Sequence, residues 1–558
     1  MKKNTTRGRL AGPFRAALLA LLGFVFASPR LALAGIGFSS ERALALQQQS
    51  TLPAPPGSYD HYGAALAAGD WNCDGIDDLA IGAPDHTGYF LGVTVPAAGA
   101  VIVQDGARFS GIATGALAER VLSQFTSAAH PPQNLDHFGS ALVSGDFNGD
   151  GCADLAVGIP NDRYTFQGVE HPSGAVEVFF GGPLGLATMA DQHIHWFNIA
   201  GDSFGAALAA GDFDHDGIDD LAVGIPGNHG YFVGGVWQMT GAVWVLDGTG
   251  SGLDPSTAAY FDQGTAPLAS QEDPEAWDLF GYALVAADLN SDQFDDLVIG
   301  APGENGGAGV VHLLSGGSTG LGQTTALTWR QPQIVGGAEE PGDGLGRALA
   351  AGDFDGDGVG DVAIGVPGQD EGIAVDSGVV AVVFGGPIFE GTGYRMVHHW
   401  PSDYYAYVPG EQEVRGFGAT LAAGNFDGDR RDLSGVRRPL DDLVVGADGT
   451  LSFSQRVGSV TVLMGRGETA IAARYESPHP GVGGLPLSPQ VDQGYGKAVG
   501  AGDFNGDGHA DLVAGLPTRD SPLLPDLGAA LLLYGSLFAN GFESGNTTLW
   551  SRQLPYTR

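Results

Sequence analysis

Asp and Asn residues recur along this chain at positions 1, 3, 5 and 9 of a short loop. Hard oxygen donors at alternate residues suit calcium, which takes roughly 6–8 oxygens at about 2.3–2.6 Å. Asp70, Asn72, Asp74 and Asp78 form the first set, followed by Asp146, Asn148, Asp150 and Asp154 and by Asp212, Asp214, Asp216 and Asp220. The fourth set is Asp288, Asn290, Asp292 and Asp296, and the fifth, the most acidic, is Asp353, Asp355, Asp357 and Asp361. The last is Asp503, Asn505, Asp507 and Asp511. Alternation lets the loop wrap round an ion, to which the position-7 carbonyl can add a ligand. Glycine at position 6 permits the sharp turn, and Gln293 in its place predicts strain in the fourth loop. A twelve-residue loop ending in Glu between helices, as in an EF-hand, is not read here. The sixth repeat has Asn425, Asp427 and Asp429, then Arg430-Arg431 and about nine extra residues before Asp442. Two arginines beside the cavity oppose a cation, so the expectation is about six calcium ions with the sixth repeat weak or empty. The bland alternative is a set of metal-free Asp-Gly hairpins. Against it, like charges this close call for a counter-ion.

The elements that must position these loops repeat with them. Loop starts at Asp70, Asp146, Asp212, Asp288, Asp353, Asn425 and Asp503 are 76, 66, 76, 65, 72 and 78 residues apart. About eight residues before each stands an aromatic or Leu followed by Gly, as in Tyr62-Gly63, Phe138-Gly139 and Leu345-Gly346. The small, apolar stretch Ala64–Ala68 before the first loop suits a buried strand near a crowded axis, and Leu79–Ile81 after it reads as a second strand. A glycine and an apolar run then recur in all seven units, from Gly99 to Val103 in the first and Gly528 to Tyr534 in the last. Fourth strands are predicted at 193–199 and 394–400, among others. Four strands per ~70 residues predict an all-β, seven-bladed β-propeller over 35–536. The last unit lacks a fourth strand, and the stretch 42–51 precedes the first unit without a blade of its own. We expect it to complete the last blade, closing the ring and removing a sheet edge.

Composition narrows the function. The chain of 558 residues has 64 Asp+Glu against 25 Lys+Arg, a net charge of −39, which argues against nucleic acid or anionic membrane as partner. Residues 1–34 read as a secretory signal, with Lys2, Lys3, Arg7, Arg9 and Arg15, an apolar run at 16–27 and Ala32-Leu33-Ala34 as cleavage pattern. Its removal takes six positive charges and leaves −45. Export to a calcium-rich exterior, secreted or at the cell surface, is the expectation. The tail 537–558 has no readable role. Cys73 and Cys152 both fall in Asp loops and are read as free small fillers. A bridge between neighbouring blades is the alternative that export would permit.

The Phe-Gly pairs, the Asp-x-Asp/Asn-x-Asp-Gly-x-x-Asp loops and endings such as Gly82-Ala83-Pro84 and Gly300-Ala301-Pro302 resemble the FG-GAP repeats of integrin α-subunit propellers and their bacterial relatives. The resemblance covers about 43–536. It implies calcium in hairpins between the first two strands of a blade. Integrins carry such loops in only some blades, whereas nearly every unit has one here. No leg domain or transmembrane helix is read, so integrin-type signalling is not expected.

If the Asp loops lie on one face, the connections from second to third strands lie on the other. Early ones are long and aromatic, with His86, Tyr89 and Phe90, with Tyr164 and Phe166, and with His229, Tyr231, Phe232 and Trp237. They could take a sugar or a protein, or pack against their own blades. Gly201-Asp202-Ser203-Phe204-Gly205 matches a nucleophile elbow but falls on a Phe-Gly repeat. The 14 His show no ligand-like cluster. The expected function is a calcium-rigidified, non-enzymatic, monomeric adhesion or ligand-binding module for an extracellular protein or glycan. The alternatives are a scaffold without specific ligand and an extracellular polysaccharide-acting hydrolase or lyase. A His-Arg-Tyr cluster or carboxylate pair converging in one pocket would favour the enzyme.

Overall fold

The computed structural model describes residues 43–47 and 59–535, apart from intervening stretches of which the longest are 387–396, 402–410 and 477–489. The signal at 1–34 and the tail at 537–558 lie outside the described residues.

Seven four-stranded antiparallel sheets stand in a ring. In the first, strands Leu66–Gly69, Asp78–Ala83, Ala100–Gln104 and Glu119–Leu122 lie side by side in chain order. Each second strand, such as Asp154–Ile159 or Asp361–Val366, is buried along its whole length, because neighbouring blades cover both its faces. The first strands of successive blades contact one another in order, and the seventh meets the first. They are half-buried rather than fully buried, since Leu66, Leu142, Leu208, Leu284, Leu349, Leu421 and Val499 line a central channel of about 750 Å³. Helix among the described residues is confined to Glu304–Gly307 and Gln331–Ile334.

Sequence repeats become inter-blade contacts. The aromatic of each Phe-Gly pair is buried, and Phe138 bridges Gly99 at the start of the preceding blade's third strand. A Cβ on Gly99 would lie 2.1 Å from the Phe138 carbonyl oxygen, so this approach requires glycine. The same bridge joins Tyr62 of the first blade to Gly528 of the seventh, completing the circle. The residue after each loop's first Asp or Asn is the second anchor: Trp71, Phe147, Phe213, Leu289, Phe354, Phe426 and Phe504 are all buried between blades.

Two further links close the ring. Strand Ala43–Leu46 pairs antiparallel with Ala530–Leu533, Leu46 opposite Ala530, and supplies the outer strand of the last blade as the sequence predicts. Cys73 and Cys152 form a disulfide between the first two blades. This corrects the reading of free thiols. Their loops lie a blade apart, but the inter-blade hydrogen bond from the Ala153 N–H to the Asp70 carbonyl brings the two turns together.

Deleting residues 35–47 should uncover the Ala530–Leu533 edge and the apolar surface now covered by Leu44 and Leu46. The expected loss is on the order of 3 kcal/mol. Thermal unfolding of the truncated chain checks this, and an unchanged melting temperature would refute the closure.

Candidate functional site

The Asp loops join first to second strands and therefore lie on one rim of the ring. In the first loop the N–H groups of Asp74 and Gly75 donate to Asp70 Oδ1 and Oδ2 at 2.9 and 2.7 Å, and the Asp74 N–H also reaches Asn72 Oδ1 at 3.0 Å. The Ile76 N–H donates to Asp74 Oδ1. This pattern recurs in the second, third and fourth loops, from Asp146, Asp212 and Asp288 onward. Each donated bond faces an oxygen toward the loop's centre. Asp212, Asp214 and Asp216 thus offer oxygens within 4.8 Å of one another, as do Asp353, Asp355 and Asp357. Asp353 Oδ1 is buried without a hydrogen bond among the described residues. A convergent, all-oxygen donor set with an orphaned carboxylate oxygen fits a calcium-class cation.

Backbone conformation makes the cradle. Gly75, Gly151, Gly217, Gly358 and Gly508 at position 6 all have φ between 83° and 89°. Gln293 adopts the same left-handed state at 78°, so the strain predicted in the fourth loop is present. Position 4 is also left-handed, at Cys73, His215 and Ser291 as well as at glycines, a feature that the sequence pattern does not advertise.

Position 9 also holds the blade together. Asp154 is buried, with the Phe147 N–H on Oδ2 at 3.0 Å and the Gly181 N–H on Oδ1 at 2.8 Å. It clamps the end of the first strand to the end of the third. Asp220, Asp296, Asp361 and Asp511 do the same, and Asp78 takes the Gly106 N–H and the Asn72 amide. Burial, reinforced by neighbouring carboxylates, pushes Asp78, Asp154, Asp220 and Asp296 up to about 7 and Asp361 and Asp511 to about 8. Asp442 makes the same clamp in the sixth blade, where the cradle itself is interrupted. Position 9 therefore serves the blade first.

Position 8 couples blades. The Asp219 carboxylate of the third blade accepts the Asp146 N–H of the second at 2.8 Å, while the Asp219 N–H donates to the Asp146 carbonyl. Asp295, Asp441 and Asp77 repeat this on Asp212, Asp353 and Asp503. Their signal in the sequence is the Asp-Asp pair, but the partner lies a whole repeat away.

In the sixth repeat, the extra residues form a hairpin of Arg430–Leu433 with Val436–Pro439. Arg431 does not face its own loop: its Nη1 donates to the Asp355 carbonyl at 2.5 Å and stands 3.9 Å from Asp355 Oδ1. The arginine expected to empty the sixth site thus tempers the fifth.

On the opposite face, the aromatic connections are hairpins, Gly88–Phe90 with Val93–Val95, Arg163–Phe166 with Val169–Pro172, and Tyr231–Val233 with Val236–Gln238. The side chains of Tyr89, Phe90, Tyr164, Phe166, Tyr231, Phe232 and Trp237 lie outside the described residues, as does all of His229. The structure brings forward residues not singled out from the sequence. Tyr59, Leu135 and Trp277 precede a buried Asp, three before the Phe-Gly aromatic, and are 56%, 51% and 62% exposed. All three are left-handed, with φ of 67°, 69° and 74°, where the fifth blade has Gly342. At the channel mouth, Asp85 binds His61 Nδ1 at 2.5 Å and His137 Nε2 at 3.0 Å. Burial alone would raise Asp85, but these two histidines hold it well below the usual carboxylate range. His61, Tyr282, Arg347 and Lys497 line the same channel, with the Arg347 guanidinium 5.5 Å from the Tyr282 ring centre. The nucleophile-elbow match has no such setting: Ser203 lies in the turn before the buried Phe204, not between a strand and a helix.

Replacing Gln293 by Gly should relieve its left-handed backbone and stabilise the protein by about 1 kcal/mol. Calorimetric melting of Gln293→Gly checks this, and a lower melting temperature would mean that the side chain has a role of its own.

Comparison with known proteins agrees with the repeats. The FG-GAP repeat family matches residues 138–176, 204–246, 280–314, 345–383 and 495–533, which are the second to fifth and the seventh units. Phosphatidylinositol-glycan-specific phospholipase D of Bos taurus is 36% identical over 192 residues, 32% of this chain and 21% of that protein. Integrin alpha-8 of Mus musculus is 30% identical over 259 residues, 44% of this chain and 20% of that protein. The chain thus spans about a fifth of the length of these curated relatives. Among solved structures, the Dos1 propeller covers 90% of this chain at 12% identity, with 98% of its own length matched and a TM-score of 0.37.

Proposed function

We propose that this seven-bladed propeller, which carries FG-GAP repeats and has integrin α homologues, is an exported calcium-binding module. In this reading it takes an extracellular protein or glycan on the face opposite its Asp loops. One observation carries the calcium reading: the turn in which the position-6 N–H holds the position-1 carboxylate recurs on a single rim in six blades, each with a buried position-9 Asp, and in the third and fifth three carboxylates converge within 4.8 Å. Positions 1, 3, 5 and 9 would hold the calcium ion, whose positive charge would offset the carboxylates and stiffen the hairpins that also join one blade to the next. Support for a ligand face comes from Tyr59, Leu135 and Trp277. Large apolar side chains kept exposed in a conformation that favours glycine cost about 1 kcal/mol each, which folding alone does not require.

An extracellular hydrolase or lyase is the second reading. It draws on His61, Tyr282 and Arg347 lining one channel and on the partial likeness to a phospholipase D. The two readings part at the side chains. A binding face uses Tyr59 and Trp277, whereas chemistry in the channel uses His61 and Arg347.

Titrating the metal-stripped chain with calcium is the first test. Binding of five to seven ions with a melting temperature raised by several degrees is expected, and no binding would reduce the Asp loops to turns. Arg431→Gln should tighten one site several-fold by removing a cation beside Asp355, as read by calorimetry. On an array of extracellular glycans and matrix proteins, Tyr59→Gly and Trp277→Gly should lose the wild-type signal without a lower melting temperature. If His61→Ala and Arg347→Ala instead abolish turnover of a polysaccharide, the enzyme reading replaces this one.

A further inference from the structure

His193 and His195 stand two apart on the outer strand of the second blade, Gln192–His195, and so share one face. Register places Glu177 of the adjacent strand opposite His193. Asp162, three residues past the second strand, reaches the pair from the connection on the face away from the Asp loops. His193 Nε2 and His195 Nε2 are 2.5 Å apart, and Asp162 Oδ2 lies 3.1 Å from His195 Nδ1 and 3.9 Å from His193 Nε2. His193 Nδ1 is bonded to Glu177 Oε1 at 3.0 Å, and the Gln124 amide of the first blade donates to Asp162 Oδ1 at 3.1 Å. Asp162, His193 and His195 each offer a ligand atom within 4.8 Å of the others. The sequence showed no histidine cluster because the carboxylates come from other strands; its one signal was His-Ile-His.

Charge decides what the cluster wants. Asp162 and Glu177 are buried, and their ion-pair partners among the described residues are these two histidines. Two ring nitrogens facing each other at this distance can share only one proton, so both rings cannot be cationic through the facing atoms. A single imidazolium leaves one negative charge over, whereas a divalent ion between neutral rings balances both carboxylates. The fourth blade provides the contrast. There Gln263, Glu304, His312, Thr328 and Arg330 occupy the places of Gln124, Asp162, Glu177, His193 and His195. In that set Gln263 donates to Glu304 at 2.6 Å and His312 pairs with Thr328 at 2.9 Å. Burial and Arg330 push His312 down to about 3. An arginine and one histidine do not make a cation site; two histidines and two carboxylates do.

We propose that Asp162, His193 and His195 bind one zinc-class divalent ion, with Glu177 orienting the His193 ring. Imidazole nitrogen selects zinc-class metals over calcium, which takes oxygen. Metal–nitrogen bonds of about 2.0–2.1 Å in a tetrahedron hold two ring nitrogens roughly 3.3 Å apart, a displacement that two side chains absorb by small rotations. The hydrogen bond from His193 to Glu177 is the outer-shell arrangement that fixes a ligating imidazole. All three ligands belong to the second blade, and Gln124 of the first blade reaches them through its hydrogen bond to Asp162.

The test uses the whole chain, stripped of metal, reloaded with calcium and titrated with Co²⁺. One ion per chain with the absorption of tetrahedral cobalt, displaced by Zn²⁺, is expected. His193→Gln and His195→Gln should each abolish the spectrum, and Glu177→Gln should weaken binding roughly 10–100-fold. Asp503→Asn, in the calcium rim, should leave it unchanged. Melting curves in calcium identify any variant that fails to fold, and for such a variant Glu177→Gln carries the decision. Absence of the cobalt spectrum in the wild-type chain, or its survival in a folded His195→Gln, overturns the proposal.

Discussion

Everything in this ring hangs on a buried carboxylate accepting two backbone N–H bonds. In each blade the position-9 Asp ties the turn after the first strand to the end of the third, as Asp361 does with the N–H groups of Phe354 and Gly385 at 2.9 and 2.8 Å. A buried charge is tolerated only where such bonds replace lost hydration. Here they also set the height of the Asp loop relative to the outer strands. With that height fixed, the apolar position-2 side chain enters the inter-blade core and position 1 meets the next blade's position 8, an Asp at four of the seven junctions. The acidic composition is thus partly structural. Many of the acids that suggest metal at first sight are holding amides.

This division explains how much could be read from the residues. Seven units, their strands and the closing role of the stretch 42–51, within which 43–46 forms the strand, were legible, because repeated spacing and alternating small and apolar residues act locally. The loops were legible as oxygen cradles for the same reason. What escaped was anything requiring a partner a repeat away. Asp77, Asp219 and Asp295 look like ordinary loop acids until the neighbouring blade supplies the amide. The disulfide escaped likewise, since its two cysteines are 79 residues apart and only the ring's curvature brings their turns together. Arg431 was assigned to its own loop by proximity in sequence, yet the inserted hairpin turns it back onto the fifth blade.

The two faces answer to different physical demands. On the Asp rim six of the seven loops repeat the same backbone states at position 6, with Gln293 a strained copy of the glycine solution. On the other face the blades diverge: exposed Tyr59 and Trp277 in two of them, a His61–Asp85–His137 chain at the channel mouth, and Arg347 and Lys497 where other blades have alanine, serine or Tyr282. Uniformity is what a structural rim needs, because each blade must meet its neighbour by the same geometry. Divergence is tolerated only where no neighbour reads the surface, and it is there that recognition can be built.

The junction between first and second blades departs from this uniformity on both sides. It carries the disulfide on the Asp rim, and on the opposite face Gln124 of the first blade reaches the second blade's Asp162–His193–His195 cluster through Asp162. Ring closure gives a physical reason for reinforcement there. The first blade is bounded on one side by the seventh, whose outer strand comes from 43–46, a segment joined to the first blade by residues 47–61. The Cys73–Cys152 disulfide and the hydrogen bond from the Gln124 amide to Asp162 tie the first blade to the second on opposite faces of the ring.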